Sequence, residues 1–305
     1  MPDWDGEETG FTTATPNGWE ITYEPKPKRR YLVDKIPVQA SITEILRCLD
    51  KPALTWWGQC VGIAAGLELY LRGFPPEMLL HGKPDEMAMV DWARLIAKGP
   101  VTDLELSTNH VRDAASTRGQ TVHSAFSYWA TTSRMPNPHE YPEHEQGYVL
   151  ALIAFLRDVP TLSPQGIELA VASKKHSYAG RYDLRGKTSQ EHRVVTKVYD
   201  KSPAKTVTIP PGLFLWDLKT SVDIFPEHAL QLAGYEQASV ESGYPETDGQ
   251  LVVQLGGDGR YQCRRSRASG EDFLAVKACW EALGRANQGL KIPYHLEREE
   301  QPSPA

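Results

Sequence analysis

The spacing of apolar residues changes character midway along the chain. From Ser41 to Leu71 apolar positions recur at helical intervals, with Pro52 near the start of a second helix. Ser41 can cap the first helix, and Glu44 three residues on completes a capping box. Residues 85–98 repeat the amphipathic pattern. Residues 104–131 do so again, with a break expected near Gly119. MPNPHEYPEHEQ reads as a Pro-rich loop, and YVLALIAFLRDV after it as a strongly apolar helix.

From Gly166 the period shortens to two. IELAVAS and YAGRYDLRG read as strands, EHRVVTKVYD and AKTVTIP as a hairpin extension, and GLFLWDLKTS as a strand that is apolar until its end. Residues 227–242 return to helical spacing. GQLVVQLGGDGRYQCRRS is a hairpin turning at Gly256–Gly259, and EDFLAVKACWEALGRAN a closing helix. The layout predicts an α/β or α+β core of one sheet flanked by helices, with a helical N-terminal half. Four regions follow: an irregular arm at 1–38, a helical region at 39–160 that packs on the core, the core itself at 161–290, and a flexible tail at 291–305. No internal repeat is evident.

Composition adds limits rather than direction. The 305 residues are ample for a sizeable core, and the hydrophobic share of 40% is ordinary for a soluble globular protein. No apolar run approaches the ~20 residues of a membrane span. The acidic start MPDWDGEETG lacks the apolar stretch of a signal peptide, so a cytoplasmic protein is expected. Net charge is −6, so a polyanionic partner would have to be met by a local basic patch, such as the arm from Lys26 to Arg30. The cysteines, Cys48, Cys60, Cys263 and Cys279, form no CxxC pair and read as reduced thiols. His139 and His144 sit in a Pro-rich loop without a nearby cysteine, which speaks against zinc.

The chemistry concentrates in FLWDLKTS. Asp217 and Lys219 are two residues apart on a strand and therefore share a face. Charges at the end of an apolar strand need a partner or a metal. Glu168 in the first strand and Asp183 in the second fall at comparable places, so adjacent strands can gather three carboxylates at one edge. Crowded carboxylates repel unless they hold protons or share a cation, and Mg²⁺ takes such oxygen ligands. Beside it, an ammonium at Lys219 can orient a water and offset charge on phosphoryl oxygens, which is the chemistry of phosphodiester hydrolysis. A D-x-K triplet alone is weak: Glu24-Pro25-Lys26 has the same form in Pro-rich coil.

Taken together these stretches resemble the PD-(D/E)xK nucleases, in particular their RecB-like and phage-encoded exonuclease branch. TRGQTVHSAF (117–126) is similar to the family's helical element with a metal-binding histidine, here His123. The strand pair carries Glu168 and the G-x-x-D aspartate Asp183, FLWDLKTS the D-x-K pair, and PEHALQLAGYEQA the Q-x-x-x-Y element of Gln231 and Tyr235. The resemblance covers residues from about 38 to 285 and implies a restriction-endonuclease-like core. It implies catalysis by Glu168, Asp183, Asp217 and Lys219, with Mg²⁺ or Mn²⁺ held by His123, Asp183, Asp217 and the Leu218 carbonyl. Glu168 would hold a second metal or a water. Gln231 and Tyr235 would contact the substrate strand. The basic hairpin with Arg193 and Lys197 either adds phosphate contacts or only extends the sheet. The implied activity is exonucleolytic hydrolysis of linear DNA from its ends in phage or bacterial recombination. A homo-oligomer and a single-strand-binding or annealing partner are compatible with it. The cysteine spacing departs from that of members with an iron–sulfur cluster, so none is expected. The alternative is a catalytically inactive nucleic-acid-binding or structural protein on the same fold.

Overall fold

A computed structural model describes residues 10–25, 29–49, 108–197 and 205–289, with the backbone alone at 108–112, 197 and 287–289. The expected helices between 50 and 107, the tail, Cys60 and the lysines at 26 and 28 lie outside the described residues.

The architecture is α/β with a central mixed sheet. Strands β5 (Ala40–Ser41), β6 (Ser163–Ser173), β7 (Tyr178–Thr188), β10 (Gly212–Lys219), β11 (Gly249–Leu255) and β12 (Tyr261–Arg265) form it, in the order β12-β11-β10-β7-β5, with β6 on the other edge of β7. β10 runs parallel to β11 and antiparallel to β7. One face is covered by α2 (Thr108–Thr132) and α3 (Glu143–Asp158), around Val122, Phe126, Leu152, Phe155 and the sheet residues Phe214, Trp216 and Val253. The other is covered by α1 (Ile42–Ile45), α4 (Pro226–Glu241) and α5 (Gly270–Gly289), around Ile42, Ile45, Tyr178, Leu215, Leu232 and Phe273. β10 is buried on both sides, which is why its sequence is an apolar run instead of an alternation.

Three expectations are corrected. The first concerns the arm at 1–38, which is not irregular over its described part. Strands β1 (Phe11–Ala14), β2 (Glu20–Glu24), β3 (Arg30–Val33) and β4 (Ile36–Pro37) form an antiparallel sheet there. Its Ile21 and Val33 are buried against Ala170, Ala172 and Ala179 of β6 and β7. Each strand is short and carries at most one buried residue, so the pattern has too few apolar positions to show a period. Second, α2 runs unbroken through Gly119. A surface glycine weakens a helix by only about 1 kcal/mol, and burial of Val122, Ala125 and Phe126 outweighs that. Third, the Pro-rich loop ends early, because α3 starts at Glu143 with Glu143 and Glu145 in its first turn, where the helix dipole favours them.

The hairpin extension is present as β8 (His192–Lys197) and β9 (Lys205–Ile209), a separate two-stranded sheet. Val194 and Ile209 anchor it in the core, and the Val195 N–H donates to the Tyr261 hydroxyl at 3.3 Å.

Candidate functional site

The site forms where two strands stop pairing. The β7–β10 ladder ends at Leu184 and Trp216. One step further along the same register Asp183 comes opposite Asp217. There the Leu218 N–H donates to Asp183 Oδ2 at 2.7 Å, so a carboxylate takes the place of a ladder partner. On the other edge of β7, Ile167 pairs with Leu184 and Leu169 with Tyr182, which sets Glu168 across from Asp183. Glu168 has φ of 50°, a left-handed conformation that is costly for a side-chain-bearing residue inside a strand.

α2 brings the fourth group. His123 Nδ1 is 2.8 Å from Glu168 Oε1 and 3.8 Å from Asp183 Oδ1. Ligand atoms of His123, Glu168 and Asp183 all lie within 4.8 Å of one another. Two carboxylates and an imidazole at that separation can hold a divalent cation, and an oxygen-rich set suits Mg²⁺ or Mn²⁺ better than thiophilic metals. Arg181 Nε binds Glu168 Oε2 at 2.9 Å and so fixes the remaining carboxylate oxygen.

Asp217 and Lys219 project together, as the period of two requires. Lys219 Nζ stands 2.8 Å from Asp217 Oδ1 and 2.7 Å from Oδ2. Asp217 is 1% exposed, and its Oδ2 accepts no well-aligned hydrogen bond. The Lys219 ammonium at 2.7 Å already offsets the charge on that buried oxygen.

Electrostatics at the cluster follow from burial and mutual proximity. Burial lifts Asp183; the His123 charge opposes that and the Asp217 charge adds to it, and the balance stands at about 6. Burial works against a charge on His123, but Asp183 and the hydrogen bond to Glu168 outweigh it and push the ring up to about 9. Burial raises Glu168, yet the His123 bond and charge, with Arg181, hold it below its ordinary value. Lys219 is raised: burial opposes its charge, and Asp217 and Asp183 overcome the opposition.

Of the residues expected to hold a metal, the structure brings His123 and Asp183 close together. Glu168 joins His123 and Asp183 in the tight cluster, while Asp217 stands outside it, turned toward Lys219. Leu218 meets Asp183 through its amide N–H. Gln231 and Tyr235 do share a face of α4: Gln231 Nε2 donates to the Tyr235 hydroxyl at 2.8 Å. Tyr235, however, is 4% exposed, so its ring is not free to stack on a base. It packs over Gly180, where a Cβ would come within 2.6 Å of Tyr235 Cε1, and the Asp217 and Asp183 charges add to burial in raising its hydroxyl pKa. The glycine of G-x-x-D is thus required by a tyrosine ring.

Arg193 is not brought to the cluster. Its hairpin leaves β7 and β10 at the ends far from Asp217, and its guanidinium bonds Thr206 Oγ1 at 2.9 Å. The Lys197 side chain lies outside the described residues. Arg118 and Arg181 were not singled out as site residues, although Arg118 belongs to the same R-G-x-x-x-H stretch as His123. Among the described residues no helix is long and apolar enough to cross a membrane. Comparison with known proteins returns no matching family and no matching curated protein.

Proposed function

We propose that this chain is a metal-dependent nuclease of the PD-(D/E)xK kind, on a restriction-endonuclease-like core, that hydrolyses phosphodiester bonds of DNA. The observation that carries this reading is the convergence of His123, Glu168, Asp183, Asp217 and Lys219 at the point where β7 and β10 part. His123, Glu168 and Asp183 would hold Mg²⁺ or Mn²⁺, with Asp217 as a further ligand or an anchor for Lys219. The cation, when bound, polarises a phosphoryl oxygen and lowers the pKa of water. Lys219 keeps its proton, given its raised pKa, so its role is to donate: it orients a water or binds a non-bridging oxygen and offsets charge there. Arg181 and His123 hold Glu168 in one orientation as a carboxylate. Tyr235 and Gln231 support the floor behind Asp217, a positioning role in place of base stacking. Action on DNA ends, a cytoplasmic setting in recombination, a homo-oligomer and an annealing partner belong to the same reading and rest on the resemblance alone.

The test uses end-labelled linear DNA and closed circular plasmid with Mg²⁺, Mn²⁺ or EDTA, beside Lys219→Ala and Asp217→Asn. Metal-dependent loss of the linear substrate only, reduced at least ~100-fold in both variants, is the expected result for an exonuclease using this site. Cutting of the circle would make it an endonuclease. Intact DNA under every metal condition, with DNA still bound, would leave the inactive binding protein as the reading.

A further inference from the structure

A cavity of about 310 Å³ adjoins the carboxylate cluster, with His123 and Lys219 in its wall. Its walls include Arg118, Gly119, His123, Lys219, Thr220 and Ser221. Ala115, Val122 and Leu218 add apolar surface, the polar groups are the basic side chains of Arg118, His123 and Lys219 and the hydroxyls of Thr220 and Ser221, and no carboxylate lines the cavity. Arg118 is half-buried, its guanidinium 5.0 Å from the centre of the Tyr148 ring, so its direction is fixed by packing. Its Nε is buried and has no hydrogen-bond partner among the described residues. Nε has no surface open to a ligand, so a ligand in the cavity would meet the terminal nitrogens, and a guanidinium presents its donors as a fork that matches a phosphate. The loop carrying Thr220 and Ser221 is held in place, since Gln254 Nε2 donates to the Ser221 carbonyl at 2.8 Å. Gly119 leaves room: nothing stands within 4 Å of where its Cβ would be.

We propose that this cavity is a phosphate subsite, in which Arg118 grips a backbone phosphate flanking the one at the metal cluster. The inference rests on the nuclease reading for its substrate, DNA, but not for its measurement. The cavity separates two tasks: Lys219 faces the reacting phosphate through Asp217, and Arg118 holds the strand in register. An acidic protein of net charge −6 needs such a local site to hold a polyanion at all.

The experiment is a fluorescence-anisotropy titration of a labelled twelve-nucleotide oligothymidylate in EDTA, at several salt concentrations. Wild type is compared with Arg118→Gln, Arg118→Lys and Thr220→Val, each checked for folding by circular dichroism. Arg118→Gln should bind about tenfold more weakly, and the slope of log affinity against log salt should fall by about 0.7, the value of one single-strand phosphate contact. Arg118→Lys should keep most of the slope and lose part of the affinity, because charge stays and the fork goes. Thr220→Val removes a hydroxyl and no charge, so it should weaken binding at an unchanged salt slope, and it carries the test should Arg118→Gln fail to fold. Wild-type affinity and slope in folded Arg118→Gln would overturn the subsite and reduce Arg118 to a packing partner of Tyr148. Absence of binding by the wild type would overturn it as well. Since no metal is present, the outcome is independent of cleavage. Arg118-dependent binding by a protein that never cleaves would sink the enzyme reading alone, and cleavage with unchanged Arg118→Gln binding would sink the subsite alone.

Discussion

His123 is the residue whose surroundings make the sharpest demand. It keeps its proton to about 9 in the metal-free protein, against an ordinary value of 6.5. A pKa raised on folding contributes stability that is fully present below 6.5 and is lost as pH climbs toward 9. The thermal midpoint in EDTA should therefore decline over that window, and His123→Gln should flatten the decline. The side chain is 34% exposed, so solvent screening keeps the effect modest. A midpoint that rises with pH through this range would contradict the His123–Asp183–Glu168 geometry. On the proposed reading a cation held at this cluster would have to displace the same proton, so cation affinity should increase across the same window. The strand spacing of Asp217 and Lys219 made their pairing legible in advance. The bond between His123 and Glu168 was not legible as a bond, because it joins residues 45 apart and depends on how α2 lies over β6. The strained backbone at Glu168 left no signal either, since nothing in Gly-Ile-Glu-Leu marks a positive φ.

At the scale of elements, α3 and the β11–β12 turn meet more closely than any periodicity could indicate. A Cβ on Gly147 would fall 1.8 Å from the Gly257 carbonyl oxygen, which is backbone and cannot swing aside. Gly147→Ala should thus destabilise the fold by roughly 1–3 kcal/mol or more, despite alanine's better helix propensity. Urea unfolding would register it as a lower midpoint; a gain in stability would mean the two elements are further apart than described. The hairpin of β8 and β9 teaches the opposite lesson. Its basic residues left a DNA grip and a plain sheet extension both open, and its anchors are Val194 and Ile209 in the core, at the far ends of β7 and β10 from Asp217. A charge run is visible in the sequence, whereas the end of the sheet from which it projects is not.

For the whole molecule, the small N-terminal sheet is the largest departure from expectation. It packs Ile21 and Val33 on β6 and β7, Asn17 donates to the Glu241 carbonyl at 2.7 Å, and Lys174 reaches Asp34 while lying 4.3 Å over the Trp19 ring. These ties make it part of the core's cooperative unit. Ile21, fully buried, should cost roughly 2–5 kcal/mol when replaced by alanine. Fluorescence and circular dichroism should report one shared, lowered transition. An unchanged global midpoint would instead identify the sheet as an appendage that melts on its own.

The sequence by itself determined the strands and helices from Gly166 onward, the hairpin turn at Gly256–Gly259 and the shared face of Asp217 and Lys219. Each follows from a local period of 2.0 or 3.6 and needs no knowledge of neighbours. Tertiary structure decided the rest. It settled that β7 and β10 part at Asp183 and Asp217, that Glu168 rather than Asp217 completes the cluster with His123, and that Tyr235 is buried against Gly180. It also settled that Arg118 lines a cavity next to that cluster. These outcomes depend on which surfaces meet across long stretches of chain. Periodicity states only which side of an element a residue occupies, and packing chooses what that side will face.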